Sequence, residues 1–140
     1  MASSVAFSLI TPRATVFEGD AQLVIVVGTE GEVGILPSHA PFLTALRPGV
    51  LRANVDDGSG TMRIELACGE GFMQALPDKI TVLTDAAYAA DEIDVGTSRE
   101  ELAAAREEQH QAGGDLTAWR RAQSKIDFAT AKLKVVGVVA

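Results

Sequence analysis

The chain has 140 residues, 47% of them hydrophobic and 22% charged, with a formal net charge of -7 and a pI near 4.7. That apolar content excludes disorder, because enough surface is available for burial to offset chain ordering, and the acidic balance excludes generic binding to a nucleic-acid backbone, which needs a basic surface. The single cysteine, Cys68, excludes an internal disulfide, and no apolar run approaches the roughly 20 residues of a membrane-spanning helix.

The opening Met-Ala-Ser-Ser has no basic region followed by an apolar run, so no secretory signal is expected and the protein should stay in the cytosol. Residues 5–10 read as a first strand closed at Thr11-Pro12, and residues 15–17 as a short second one. Glu18-Gly19-Asp20 reads as a turn, and residues 21–27, rich in β-branched side chains, as a buried strand. From Gly28 to Gly49 the chain reads Gly-Thr-Glu-Gly-Glu-Val-Gly-Ile-Leu-Pro-Ser-His-Ala-Pro-Phe-Leu-Thr-Ala-Leu-Arg-Pro-Gly. Gly28, Gly31, Gly34 and Gly49 are expected where a Cβ would clash or φ is positive. Pro37, Pro41 and Pro48 forbid a long helix or a central strand. Short apolar segments at 33–36 and 42–46 remain between rigid turns.

Residues 50–55 and 61–68 form a hairpin around Asp56-Asp57-Gly58-Ser59-Gly60, with Met62, Ile64, Leu66 and Cys68 alternating. Residues 72–76 and 79–84 complete eight or nine strands, a count and spacing that predict a β-sandwich or flattened barrel over residues 1–87. After Asp85 proline disappears and helix formers dominate, so residues 88–140 are expected to form a second unit. Ser98 with Glu101 suggests a capping box for a helix running to about Gln111. Gly113-Gly114 stops it, and Asp115 or Thr117 caps a second helix. Leu116, Trp119, Ala122 (or Gln123), Ile126, Ala129, Leu133 and Val136 recur at helical spacing as one apolar face. The result is an antiparallel two-helix hairpin. The first helix offers little beyond Leu102 and Ala103 to Ala105, so the pair needs a docking surface elsewhere, either the sandwich or another protein. Two such surfaces would make a switch, and one would make a permanently docked appendage.

The charge is uneven. Residues 1–90 carry five basic and ten acidic groups, residues 91–110 two and seven, and residues 115–136 five and two. His39 lacks a second ligand at metal-binding spacing and reads as loop support, and His110 sits near a helix end. Ser38-His39 has no strand-to-helix elbow around it, and the glycines at 28, 31 and 34 are followed by neither Lys-Ser/Thr nor a helix. Neither catalysis nor phosphate binding is expected from them. Cys68 reads as an inert core thiol.

The run from Gly28 to Gly49 fits Gly-x-Glu-Gly-x-x-Gly-Ile-x-Pro-x-His-Ala-Pro-x-x-Thr-x-x-x-Pro-Gly and is similar to the signature of the ε subunit of bacterial F-type ATP synthases, the counterpart of mitochondrial δ. Gly69-Glu70-Gly71-Phe72-Met73 resembles the family's Gly-Gly-Phe segment with Glu70 in place of one glycine. The 79–85 strand and Ala131-Lys132-Leu133-Lys134-Val135 resemble two further family segments. The resemblance implies a non-catalytic rotor subunit, without a cofactor, peripheral to the cytoplasmic face of the bacterial plasma membrane. Its sandwich would pack on the γ subunit and the c-ring, helping to couple proton flow to ATP synthesis. By position, Thr29, Glu30 and Gly31, with His39, would form the c-ring-facing loop. The family's helices lie folded on the sandwich or extend along γ, where the extended form inhibits ATP hydrolysis. In that form Arg120, Arg121, Lys125, Lys132 and Lys134 would meet acidic loops of the catalytic β subunits; otherwise they form a solvated face. Some relatives bind ATP through Ile/Leu-Asp-x-x-Arg-Ala. Here Ile93 and Asp94 are followed by Thr97 and Ser98 in place of Arg-Ala, so ATP binding is expected to be weak or absent. The alternative from another class is a free-standing sandwich that binds a ligand and dimerises through its helices.

Overall fold

Inward and outward side chains alternate along several strands of the N-terminal half, as in Gly49–Asp56, where Leu51, Ala53 and Val55 point inward. A computed structural model describes residues 3–56 and 58–138. Met1 and Ala2 of the opening segment, and Asp57 in the expected hairpin turn, lie outside the described residues. The strands are β1 (Val5–Ile10), β2 (Thr15–Gly28), β3 (Gly31–Ile35), β4 (Phe42–Leu46), β5 (Gly49–Asp56), β6 (Thr61–Cys68), β7 (Gly71–Leu76), β8 (Lys79–Thr84) and β9 (Ala87–Tyr88).

Strand β1 bonds to β8 in parallel and to β2 antiparallel, and the path β1–β8–β7–β4–β2 therefore closes on itself. Strands β5, β6 and β9 continue outward from β2, and β3 pairs with its last residues. This is the expected flattened barrel. Phe7, Leu9, Val24, Ile35, Met73 and Ile80 fill it at 1% exposure or less, and each such side chain contributes about 1.5–3 kcal/mol of burial. Cys68 is part of this core, and burial pushes its thiol up to about 12, which keeps it protonated and inert.

The expected turn at Glu18-Gly19-Asp20 does not exist: β2 runs unbroken through it. Its first half pairs with β1 and its second with β3 and β5, and a register shift between Ala21 and Leu23 bends it between these partners. Gly19 serves close approach, since a Cβ there would sit 3.1 Å from the Phe17 ring, which packs 5.6 Å from Phe7. Gly31 does take a positive φ of 127°, whereas Gly34 has neither a positive φ nor a close neighbour.

After a short 3-10 turn at Ala90–Glu92 come α1 (Val95–Gln111) and α2 (Leu116–Val135). The cap of α1 is Asp94 instead of Ser98. Its Oδ1 accepts from the Gly96 N–H at 3.1 Å and its Oδ2 from the Thr97 hydroxyl at 2.8 Å, while Ser98 is buried within the first turns. Asp115 caps α2 as expected, accepting from the Ala118 N–H at 3.1 Å. The helices run antiparallel around Leu102, Ala129 and Leu133, with Val95, Ile126 and Val138 at the margin. The expected stripe is shorter than its periodicity suggests. Leu116 and Trp119 remain 58% and 43% exposed, so the stripe is covered only from Ala122 onward.

Candidate functional site

Three surfaces carry the functional argument. The first is the β2–β3 turn, where Gly28 and Gly31 face each other in register and leave Thr29 and Glu30 exposed at the tip. The base of the turn is braced: the Arg47 N–H donates to the Val27 carbonyl at 3.1 Å, Arg47 Nε to the Gly28 carbonyl at 3.3 Å, and Arg52 pairs with Glu32. His39 does not sit with this turn. It lies in the connection after β3, and that strand runs away from the turn for five residues, or roughly 15 Å. There Nδ1 donates to the Ala40 carbonyl at 2.6 Å and the ring meets Phe42 edge-on, which is local support of a loop whose Ser38 has φ of 65°.

The second surface is the outer face of β4–β7–β8–β1. Register places Ala45, Phe72, Leu83 and Ile10 in one row and Leu43, Gln74 and Thr81 in the next. Leu43, Phe72 and Leu83 are 69%, 57% and 50% exposed, so an apolar patch stays uncovered. Sequence reading missed it, although Leu83 lies out of phase with the inward pair Ile80 and Val82.

The third is the helical pair and its seam with the barrel. α2 lies on β5 and β6. Phe128 stacks 6.0 Å from Tyr88, and the Ser124 hydroxyl donates to Glu70 Oε1 at 2.7 Å. The Glu70 loop is held firmly: the Asp85 N–H donates to the Glu70 carbonyl at 3.0 Å, and the buried Thr84 hydroxyl lies 3.1–3.2 Å from the carbonyls of Gly69, Glu70 and Ala86. Asp85 stands beside it, its carboxyl raised above the ordinary range by partial desolvation and then by the charge of Glu70. Two clefts flank the contact. One of about 450 Å³ lies among residues including Arg47, Val50, Arg52 and Lys134, and one of about 310 Å³ between the Glu70 loop and Ser124. The seam is therefore bordered by open clefts on two sides. The 54 positions between Glu70 and Ser124 left no local signal of it.

The basic residues of α2 divide. Lys125 pairs with Glu108 and Lys132 with Glu101, whereas Arg120, Arg121 and Lys134 have no ion pair among the described residues. Ile93 precedes the cap, and both carboxylate oxygens of Asp94 serve it. Thr97, at the position where the nucleotide motif has arginine, turns its hydroxyl into the same cap. No group of three or more His, Cys, Asp or Glu among the described residues could hold a metal, and no described helix is long and apolar enough to cross a membrane.

Residues 4–90, the barrel with its last strand, match the family described as ATP synthase, Delta/Epsilon chain, beta-sandwich domain. The fold thus defines a β-sandwich chain of the ATP synthase delta/epsilon class. The ATP synthase epsilon chain of Syntrophobacter fumaroxidans is 38% identical over 136 residues, covering 96% of this chain and 97% of that one. The epsilon chain of an Exiguobacterium species is 41% identical over 92 residues, covering 66% of this chain and 65% of that one. A chain in the structure of the Euglena gracilis mitochondrial ATP synthase OSCP/F1/c-ring assembly has the same fold, with a TM-score of 0.77 at 18% identity, covering 96% of this chain and 81% of that one. The protein belongs to the ATP synthase epsilon chain family, a non-catalytic subunit of that enzyme complex.

Proposed function

We propose that this chain is the central-stalk subunit that joins γ to the c-ring, at the cytoplasmic face of a bacterial plasma membrane, and that its helices restrain ATP hydrolysis. The observation that carries the reading is the uncovered apolar sheet face around Leu43, Phe72 and Leu83, of the kind a permanent partner covers. We assign that face to γ. The braced Thr29-Glu30-Gly31 turn, polar and projecting, is assigned to the polar loops of the c-ring. Rigid attachment at both places would let the subunit turn with the stalk and couple proton flow to ATP synthesis. The clefts bordering the seam under α2 support a hairpin that leaves the barrel, and Arg120, Arg121 and Lys134, without an ion pair among the described residues, suit acidic loops of the catalytic β subunits.

The test is one reconstitution of the ATPase with three forms of the chain: full-length, ending after Ala90, and F72E. The cut after Ala90 leaves β9 and its pairing with β6 intact. The truncated chain is expected to assemble and to raise hydrolysis, and F72E is expected to lose assembly with γ. Unchanged hydrolysis after truncation would reduce the helices to packing, and normal assembly of F72E would remove the sheet face from the γ contact.

A further inference from the structure

Two of the five cations of α2 are already neutralised inside the closed hairpin. Lys132 Nζ donates to Glu101 Oε1 at 2.8 Å and stands 4.8 Å from the centre of the Phe128 ring and 5.7 Å from that of Tyr88, with its side chain only 12% exposed. Lys125 Nζ lies 2.9 and 3.1 Å from the two oxygens of Glu108. The lysines are seven positions apart, two helical turns, and therefore share one face of α2. Glu101 and Glu108 have the same spacing on α1, which sets two carboxylates about 10 Å apart opposite two ammonium groups about 10 Å apart. The neighbouring carboxylates are not used this way: Glu107 accepts from Gln111 on its own helix, and Glu100 is exposed.

We propose that α1 is an internal stand-in for the acidic surface that α2 grips when the hairpin opens. Lys125 and Lys132 would exchange Glu101 and Glu108 for carboxylates about 10 Å apart on a partner helix or loop, and the closed hairpin masks them until that exchange. One set of ion pairs replaces another, so the electrostatic change on opening nearly cancels. What resists opening is the apolar contact of Leu102, Ala129 and Leu133, the rings around Lys132 and the seam of α2 with β5, β6 and Glu70. This inference rests on the proposed restraint of hydrolysis by the helices and adds how α2 is held ready for an acidic partner.

The test uses the full chain at low ionic strength with a poly-glutamate peptide as the probe. E101Q/E108Q removes the stand-in carboxylates. E100Q/E107Q changes the net charge equally on the same helix without touching α2. The first variant is expected to bind the probe about fivefold more tightly than the control variant, the effect of releasing two partly exposed pairs. Equal binding by the two variants overturns the proposal. Adding K125Q/K132Q to E101Q/E108Q should abolish the gain, and a gain that persists also overturns it. Barrel unfolding followed alongside guards against a misfolded variant. If truncation after Ala90 leaves hydrolysis unchanged while the probe gain stands, the restraint of hydrolysis fails and the masking survives. If truncation raises hydrolysis and the glutamines change nothing, the masking alone fails.

Discussion

Phe7, Leu9, Ile35, Met73 and Ile80 fill the barrel at 1% exposure or less, whereas the two large apolar side chains buried in the helical pair, among the described residues, are Leu102 and Leu133. The barrel is also closed by hydrogen bonding around its circuit, while α2 rests on β5 and β6 between two clefts, with the Ser124–Glu70 hydrogen bond, the Phe128–Tyr88 ring contact and Lys132 beside the Tyr88 ring. A joint of that kind lets the two parts differ in local stability. One chain thus contains two regions of different local stability, and the difference lies in side-chain volume and in the width of the contact between them.

The comparison breaks most visibly in the two cores. Phe7→Ala should cost about 3–5 kcal/mol and unfold the barrel together with the helices docked on it, whereas Leu133→Ala should cost about 2–3 kcal/mol and melt the helices alone. Cys68 reports which has happened: its buried thiol stays unreactive toward thiol reagents until the barrel opens. Equal exposure of Cys68 in both variants would mean the chain unfolds as one unit.

A smaller effect sharpens the seam. Ser124→Ala removes the hydrogen bond to Glu70 and should cost about 1 kcal/mol. Amide exchange of α2 should speed up while that of β7 and β8 does not. Unaltered protection in α2 would leave the Phe128 and Lys132 contacts with Tyr88 and the packing on β5 and β6 as the anchor.

The smallest effect concerns Asp85. Its carboxyl is raised in the folded state, so its contribution to stability is fully present below the ordinary value of 3.8 and is lost as pH rises through the folded value. Asp85→Asn removes that loss. The melting temperature of the variant minus that of the parent should be near zero at low pH and grow to about a degree or two above the window, since the group is largely exposed to water. A difference that stays flat with pH would show that Asp85 does not sense the seam.

Much of this architecture was legible locally. The β5–β6 hairpin, the 79–84 strand, the Gly-Gly break between helices and the Asp115 cap all arise from near neighbours, and each appears where periodicity or turn chemistry places it. Gly19 carries a turn signal because acidic residues flank it, and the ring of Phe17 and the pairing of β1 with β2 reveal its actual use. Ser98 and Glu101 make the familiar capping pattern three residues apart, but the better-placed carboxylate of Asp94, four residues before Ser98, takes the cap. Of the candidate surfaces, the 29–31 turn was readable from its glycines, but its separation from His39 follows from the direction of β3.

The sequence by itself determined the all-β and helical halves, the family signature and the polarity of α2, because alternation, capping and charge are properties of residues within a few positions of one another. Only the tertiary structure decided that Leu83 joins Phe72 on an uncovered face, that Glu70 meets Ser124, and that Glu101 and Glu108 occupy Lys132 and Lys125. Those contacts join strands and helices that the chain brings together over long separations, and their register is set by how the whole barrel and hairpin pack.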